Sequence, residues 1–438
     1  MLQPVAPCAD LFFMLVDEEE IMHMPDATME AMEHLKHLCV DIGPRPVGSE
    51  MNRWATDYIA EVFAASGLEV ERQSFGCPNW QHRQTHLDLD GTVLDAEANT
   101  FSPSCDVTAP TVALGTLTEL ELATVDKQVA ILYGELTSDG PLAAQNNPVW
   151  CPEKHRRIAR LLMDKQPAAV LTVQPKPRNL LPLIEDWDFP IPSATLPAEA
   201  GRALLGQRCA TVNLRIDSHR SPSQAANVVG RKPGPGKERL VVSAHFDTKH
   251  WTPGAIDNGS GAAVLLVLAR LLASREVGIG LEFVAFNGEE YHGLGDTEYL
   301  GRHGLKPVRF GAEPEPAIGE FGHILAAINL DGIGPKVGVH TAGVLASSQR
   351  FKTLVSNVVQ RYPAVVWADP GPASNHYTFF THGVPILNVS SIGVDQVIHL
   401  PIDTLEWIDP DKLQEAIALV LEVVEQLHDK PVAWSRGQ

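Results

Sequence analysis

Histidine and carboxylate side chains stand at the ends of the most apolar runs in this chain. His245 directly follows the run 240–244, Glu289 and Glu290 come just after 281–286, Asp331 directly follows 324–330, and His399 lies in the loop beyond 385–389. Asp257 sits in the turn Gly254-Ala255-Ile256-Asp257-Asn258-Gly259-Ser260-Gly261, ahead of a helical stretch. Two histidines and three carboxylates offer the nitrogen and oxygen donors that zinc accepts. The set is large enough for two ions, which in such sites lie roughly 3.5–4 Å apart. The expectation is therefore two zinc ions per chain. Asp257 is the natural bridge, since a carboxylate has two oxygens. His245, Asp331, Glu290 and His399 complete the set, and spacing alone leaves open which of Asp331 and Glu290 serves which ion. Glu289 and Glu290 are adjacent, so on an extended backbone their side chains diverge. Glu290 is read as a ligand and Glu289 as the general base that takes a proton from the attacking water and returns it to the leaving group. Asp247, two residues after His245, and Asp403, four after His399, are placed to accept the second ring N–H of those histidines.

These residues meet only if the runs that precede them are parallel strands. In a parallel sheet the carboxyl ends share one edge, and ligands bind there. The pattern from residue 221 onward supports this arrangement. Strands are expected at 240–244, 281–286, 324–330 and 385–389. Helices are expected from Ser260, as a cap, through Leu272, then at 351–361 and 410–428. Upstream, 28–67 reads as two helices separated by the turn Gly43-Pro44-Arg45-Pro46-Val47-Gly48-Ser49, and 68–75 reads as a strand with 85–94 as its partner. The texture changes over 99–220, with short strands at 128–133 and 168–173 and helices at 155–163 and 198–205. The expected fold is α/β: a twisted, mixed, largely parallel sheet flanked by helices. Residues 1–98 and 221–438 form the main domain, and 99–220 form a smaller inserted one.

Taken singly, each candidate has a plainer reading: a turn aspartate, a solvated glutamate pair, a histidine satisfied at a strand end. The metal reading rests on all of them falling on one sheet edge. His250, His292, His303 and His340 lack such partners and are read as loop or surface histidines.

Composition excludes several classes. The 438 residues are 44% hydrophobic and carry a net charge of −20, which repels phosphate backbones and argues against a nucleic-acid partner. No apolar run reaches the ~20 residues of a membrane span. The patch 11–16 lacks a basic flank and is followed by the acidic run 17–20, so a cytoplasmic location is expected. The cysteines Cys8, Cys39, Cys77, Cys105, Cys151 and Cys209 match no zinc-binding pair pattern and are read mostly as reduced structural thiols. Nothing in the sequence fixes the oligomeric state.

The segments Ser243-Ala244-His245-Phe246-Asp247-Thr248, 254–261, Phe286-Asn287-Gly288-Glu289-Glu290, Asn329-Leu330-Asp331 and His399-Leu400-Pro401-Ile402-Asp403-Thr404 resemble family twenty-eight of the zinc metallopeptidases, as does the opening stretch 43–49. The resemblance implies a two-zinc site with Asp257 bridging and Glu289 as base, and a cis peptide after Asp257. It also implies a protease-associated domain inserted near 99–220, and a peptide as substrate. Within that family the chain is read as an exopeptidase, most simply an aminopeptidase. The alternatives are a carboxypeptidase or dipeptidase of the same family, a single-zinc glutaminyl cyclase-like acyltransferase, and a binding protein without catalysis. Two departures stand out. Asn375, in Ser374-Asn375-His376-Tyr377, replaces a carboxylate common in relatives, and Ile398 replaces a tyrosine whose hydroxyl can assist the oxyanion. His376 and Tyr377 are the residues that could compensate.

Overall fold

The computed structural model describes residues 18–176, 181–207, 210–371 and 374–436, with side chains of 18–23 and 25 left aside. The patch 11–16, Cys8 and Cys209 lie outside the described residues. Two compact units are present: Met1–Phe75 with Ala225–Gln438, and Gly76–Gln224.

In the first unit the strands Arg239–His245, Gly280–Phe286, Ile324–Leu330 and Ile386–Ile392 are mutually parallel neighbours. Val339–Leu345 joins antiparallel to Ile386–Ile392, and residues 228–232 join antiparallel to Gly280–Phe286, so the sheet is mixed but mostly parallel. Both faces are covered. Leu240, Val242 and Ala244 enter one apolar cluster while Val241, between them, enters another, the alternation expected of a strand buried on both sides. The helix Ser260–Ala273 lies in the first cluster against Glu18–Lys36 and Pro410–Leu427. The stretch Ala255–Ala273 is apolar and long enough to cross a bilayer by composition alone, yet 89% of it is buried inside the fold. It is a core helix.

The predicted strands after residue 221 all appear, but three details differ. Ser260 is the first helical residue rather than the cap, and its hydroxyl turns back to the Ile256 carbonyl. Residues 69–89 form one strand, Glu69–Leu89, where two partners were expected. The strand runs through Gly76 and Pro78, and only its end pairs with Thr92–Leu94. His340 is no surface histidine: it is fully buried on Val339–Leu345, and its Nε2 accepts the Gly334 N–H.

The second unit carries the parallel strands Cys105–Leu114, Val129–Leu132, Ala169–Val173 and Ser193–Leu196, with helices Glu153–Lys165 and Ala198–Leu205. It begins at Gly76, earlier than the expected 99. The second half of the long strand and the segment 97–98, which pairs with Ser193–Leu196, pack into it. Cys39, Cys77 and Cys105 are free thiols.

Candidate metal centre

The parallel register brings the predicted residues to one edge. Phe286 lies opposite His245 and Asn329 opposite Ser243, so the loops leaving the three central strands open side by side. The turn 254–261 adds Asp257 through a tightly built backbone. Gly254 has φ +62°, and a Cβ there would lie 2.5 Å from the Asp257 carbonyl oxygen and 2.4 Å from Thr248 Cγ2, so only glycine fits. The Asp257–Asn258 peptide is cis, as the resemblance implied. The Asn258 side chain donates to the Leu330 carbonyl at 2.9 Å and accepts from the amides of Gly261 and Gly332 at 3.0 and 3.2 Å. It thereby ties the Asp257 turn to the loop that presents Asp331.

Two triads result: His245, Asp257, Asp331 and Asp257, Glu290, His399, each with ligand atoms within 4.8 Å of one another. His245 Nε2 lies 3.2 Å from Asp257 Oδ1 and 3.4 Å from Asp331 Oδ1. His399 Nε2 lies 2.9 Å from Asp257 Oδ2 and 3.3 Å from Glu290 Oε1. Donors placed about 2.0–2.2 Å from a tetrahedral zinc stand roughly 3.3–3.6 Å from each other, so the spacings of 3.2, 3.4 and 3.3 Å fit the ion, while the 2.9 Å between His399 and Asp257 is shorter. Glu290 Oε1 is buried and receives no hydrogen bond, another sign of a group awaiting a cation. Asp257 faces one triad with each oxygen, so the structure groups Asp331 with His245 and Glu290 with His399.

The electrostatics match a cluster of acids around two imidazoles. Burial acts to lower both histidines. For His245 the charge of Asp331 and the nearby carboxylates of Asp247 and Asp257 outweigh burial and raise it well above its usual range. For His399, Glu290 and Asp257 do the same. Burial would raise Asp257, yet the two histidines hold it far below the usual carboxylate range. Burial raises Glu289 well above that range, opposed by His245 and reinforced by the charges of Glu290, Asp331 and Asp257.

The supporting residues depart in part from expectation. Asp247 Oδ1 faces His245 Nδ1 at 3.6 Å, beyond hydrogen-bond length. Its closer contacts are the amides of Glu289 and Glu290, at 3.1 and 3.2 Å, so it sets the glutamate pair as well as standing behind the histidine. Asp403, expected behind His399, instead accepts from the amides of Ile256 and Asp257 at 2.8 and 3.1 Å, and burial pushes its carboxyl up to about 7.

His376 is buried and donates from Nε2 to the Gly371 carbonyl at 2.7 Å. Tyr377 accepts from the Gly311 amide at 3.4 Å and packs beside Phe310 and Phe380, so its contacts lie with that loop rather than with the triads. Ile398 packs against the core. The departure at 375 has a local counterpart. The Asn375 amide donates to both oxygens of Asp296, at 3.0 and 2.8 Å, and Thr378 donates to the same acid at 2.6 Å. A carboxylate at 375 would confront Asp296 as a like charge; here the acid stands across the hydrogen bond instead. Sequence reading passed over Asp296, Asn258 and the fully buried Arg45, because no ligand-like spacing marks them.

Residues 227–424 match the model of Peptidase family M28. The chain is 26% identical to the aminopeptidase YwaD of Bacillus subtilis (strain 168), over 96% of this chain and 89% of that protein. Among solved structures it is similar to BSAP, a zinc aminopeptidase from Bacillus subtilis, with TM-score 0.72 and 21% identity, covering 94% of this chain and 98% of that one. The aminopeptidase from Aneurinibacillus sp. strain AM-1 gives TM-score 0.70 at 22% identity, over 94% of each chain. These two solved structures share the fold. The segment similar to Peptidase family M28 contains all five candidate ligands, His245, Asp257, Glu290, Asp331 and His399.

Proposed function

We propose that this chain is a two-zinc exopeptidase that removes amino acids from the amino terminus of peptides. The observation that carries the reading is the shared carboxylate: Asp257 turns one oxygen to His245 and the other to His399, so two triads stand on either side of it. His245 and Asp331 would hold one ion, and Glu290 and His399 the other. Bound zinc would polarise the scissile carbonyl and acidify the attacking water. Glu289 belongs to neither triad but is carried on the same loop as Glu290. Its backbone is held by Asp247, and burial raises its carboxyl well above the usual carboxylate range, so it holds a proton more readily than a free carboxylate does. It takes the proton from water as the peptide carbonyl is attacked, then passes it to the departing amine. The acid-rich surround of Asp247, Glu289, Glu290 and Asp331 suits a substrate's free ammonium. The similarity to a protein named an aminopeptidase over nearly its whole length supports the same end of the peptide.

Metal analysis and digestion of a mixed peptide library test the reading together. Two zinc ions per chain, and cleavage of free but not acetylated amino termini, are the expected results. Cleavage from the carboxyl end would overturn the aminopeptidase reading. One tightly held zinc with cyclisation of amino-terminal glutamine would replace it with an acyltransferase.

A further inference from the structure

We propose that Arg45 and Asn52, in the N-terminal segment outside the 227–424 match, are positioning residues of the metal centre, setting the spacing of the loops that present His245, Asp257 and Glu290. The inference rests on the two-zinc reading above.

Arg45 is fully buried, and its guanidinium donates to five backbone carbonyls. Two are local, Leu38 and Gly43 at 3.3 and 3.4 Å. The other three belong to the metal-binding loops. Phe246, the residue after His245, accepts from Nε. Pro253 and Gly254, which open the turn to Asp257, accept from Nη1 and Nη2 at 2.7 and 3.2 Å. The Arg45 amide also donates to Thr248 Oγ1 at 3.0 Å. One planar group therefore fixes the distance between the loop leaving His245 and the loop entering Asp257, two ligands of the same triad. Nε, Nη1 and Nη2 of one rigid fork reach carbonyls of both loops, with Nη1 shared among Leu38, Gly43 and Pro253; the ammonium of lysine, with three donors at one point, cannot span both loops.

Asn52 extends the same frame to the glutamates. Fully buried on the helix Glu50–Ala65, it donates to the Arg45 carbonyl at 3.0 Å and exchanges two hydrogen bonds of 2.9 Å with the Asn287 side chain. Asn287 begins the turn that presents Glu289 and Glu290, and its remaining amide hydrogen goes to the Ala226 carbonyl at 3.1 Å. The turn Gly43–Ser49 and the first turn of its helix thus back all three loops from one side. These hydrogen bonds go to backbone, to Thr248 and to Asn287 rather than to a ligand side chain, so the effect of both residues passes through backbone placement.

The test uses the full chain with R45K, which keeps charge and bulk but loses the fork, and N52D, which keeps shape but loses the amide donors. Metal-free protein is melted. Zinc affinity is then read by competition with a chromophoric chelator, and coordination by the visible bands of the cobalt-substituted protein. Finally kcat and KM are measured. Each variant is expected to melt cooperatively, to bind zinc about 10–100-fold more weakly, and to show altered cobalt bands. Its kcat is expected to fall at least as far as its affinity, with KM nearly unchanged. A folded R45K with wild-type zinc affinity, cobalt bands and kcat overturns the proposal, even if its melting temperature drops, because that is the behaviour of a merely structural arginine. If R45K does not fold, N52D decides by the same readouts. Wild-type protein that fails to take up two zinc ions overturns the metal reading itself, and that result is distinct from an unaffected R45K.

Discussion

Replacing Glu289 with glutamine separates proton transfer from metal binding more cleanly than any other single change in the site. The structure holds Glu289 through its backbone amide, 3.1 Å from Asp247 Oδ1, so the substitution leaves that contact in place. Neither triad includes Glu289, so both should keep their ions. The side chain is nearly isosteric. Moreover, burial and the adjacent carboxylates already favour the uncharged form of Glu289 in the metal-free protein, so a neutral amide should fold as well as the acid. What disappears is the ability to accept a proton. A positioned general base contributes about 10²–10⁴-fold, which corresponds to roughly 3–5.5 kcal/mol of barrier. E289Q is therefore expected to lose about 10²–10⁴-fold in kcat, with KM within about twofold and zinc content unchanged. The assay is release of an amino-terminal residue from a chromogenic amide, alongside metal analysis of the same preparation. A variant with full zinc and kcat within about threefold of wild type would refute the assigned role. A variant that sheds one zinc would show that Glu289 is a ligand and that the two glutamates exchange parts.

Three further outcomes follow from the geometry. In metal-free protein His245 and His399 are raised well above 6.5 by the surrounding carboxylates, so zinc must displace protons from both; acid then drives metal off, and calorimetric titrations near pH 7 in buffers of different ionisation enthalpy should show proton release, whereas buffer-independent heats would contradict the pairing. Burial lowers His340 to about 4, so its protonation favours the unfolded chain: the stability it contributes is complete above pH ~6.5 and lost as pH falls toward 4, by about 3 kcal/mol at the limit, and H340Q should flatten that part of the urea-unfolding profile of metal-free protein. A methyl at Gly254 would press on Asp257 and Thr248 in a positive-φ turn; G254A should lose about 1–3 kcal/mol of stability together with zinc affinity, and full zinc occupancy in a stable variant would show that the turn yields.

How far the sequence could be read depended on the kind of constraint each residue answers to. The ligands were legible because metal chemistry restricts residue type, and because parallel strands place one residue after each run at a common edge; Asp331 after Ile324–Leu330 is the plainest case. The core helix Ser260–Ala273 was legible from its continuous apolar character. The strand Glu69–Leu89 was misread because local pattern does not carry the pairing across the sheet that decides the outcome. Supporting residues were harder still. Asp403 occupies a position that suggests His399, but its carboxylate answers to two amide hydrogens 146 and 147 residues away in sequence. Arg45 gives no sign at all, since its partners are backbone carbonyls, which every residue type possesses. The general rule is that a side chain acting on another side chain leaves a pairing of residue types in the sequence, while one acting on backbone leaves only itself. Residues that aim a metal centre from behind act mostly on backbone, and so they emerge only when the loops are seen in place.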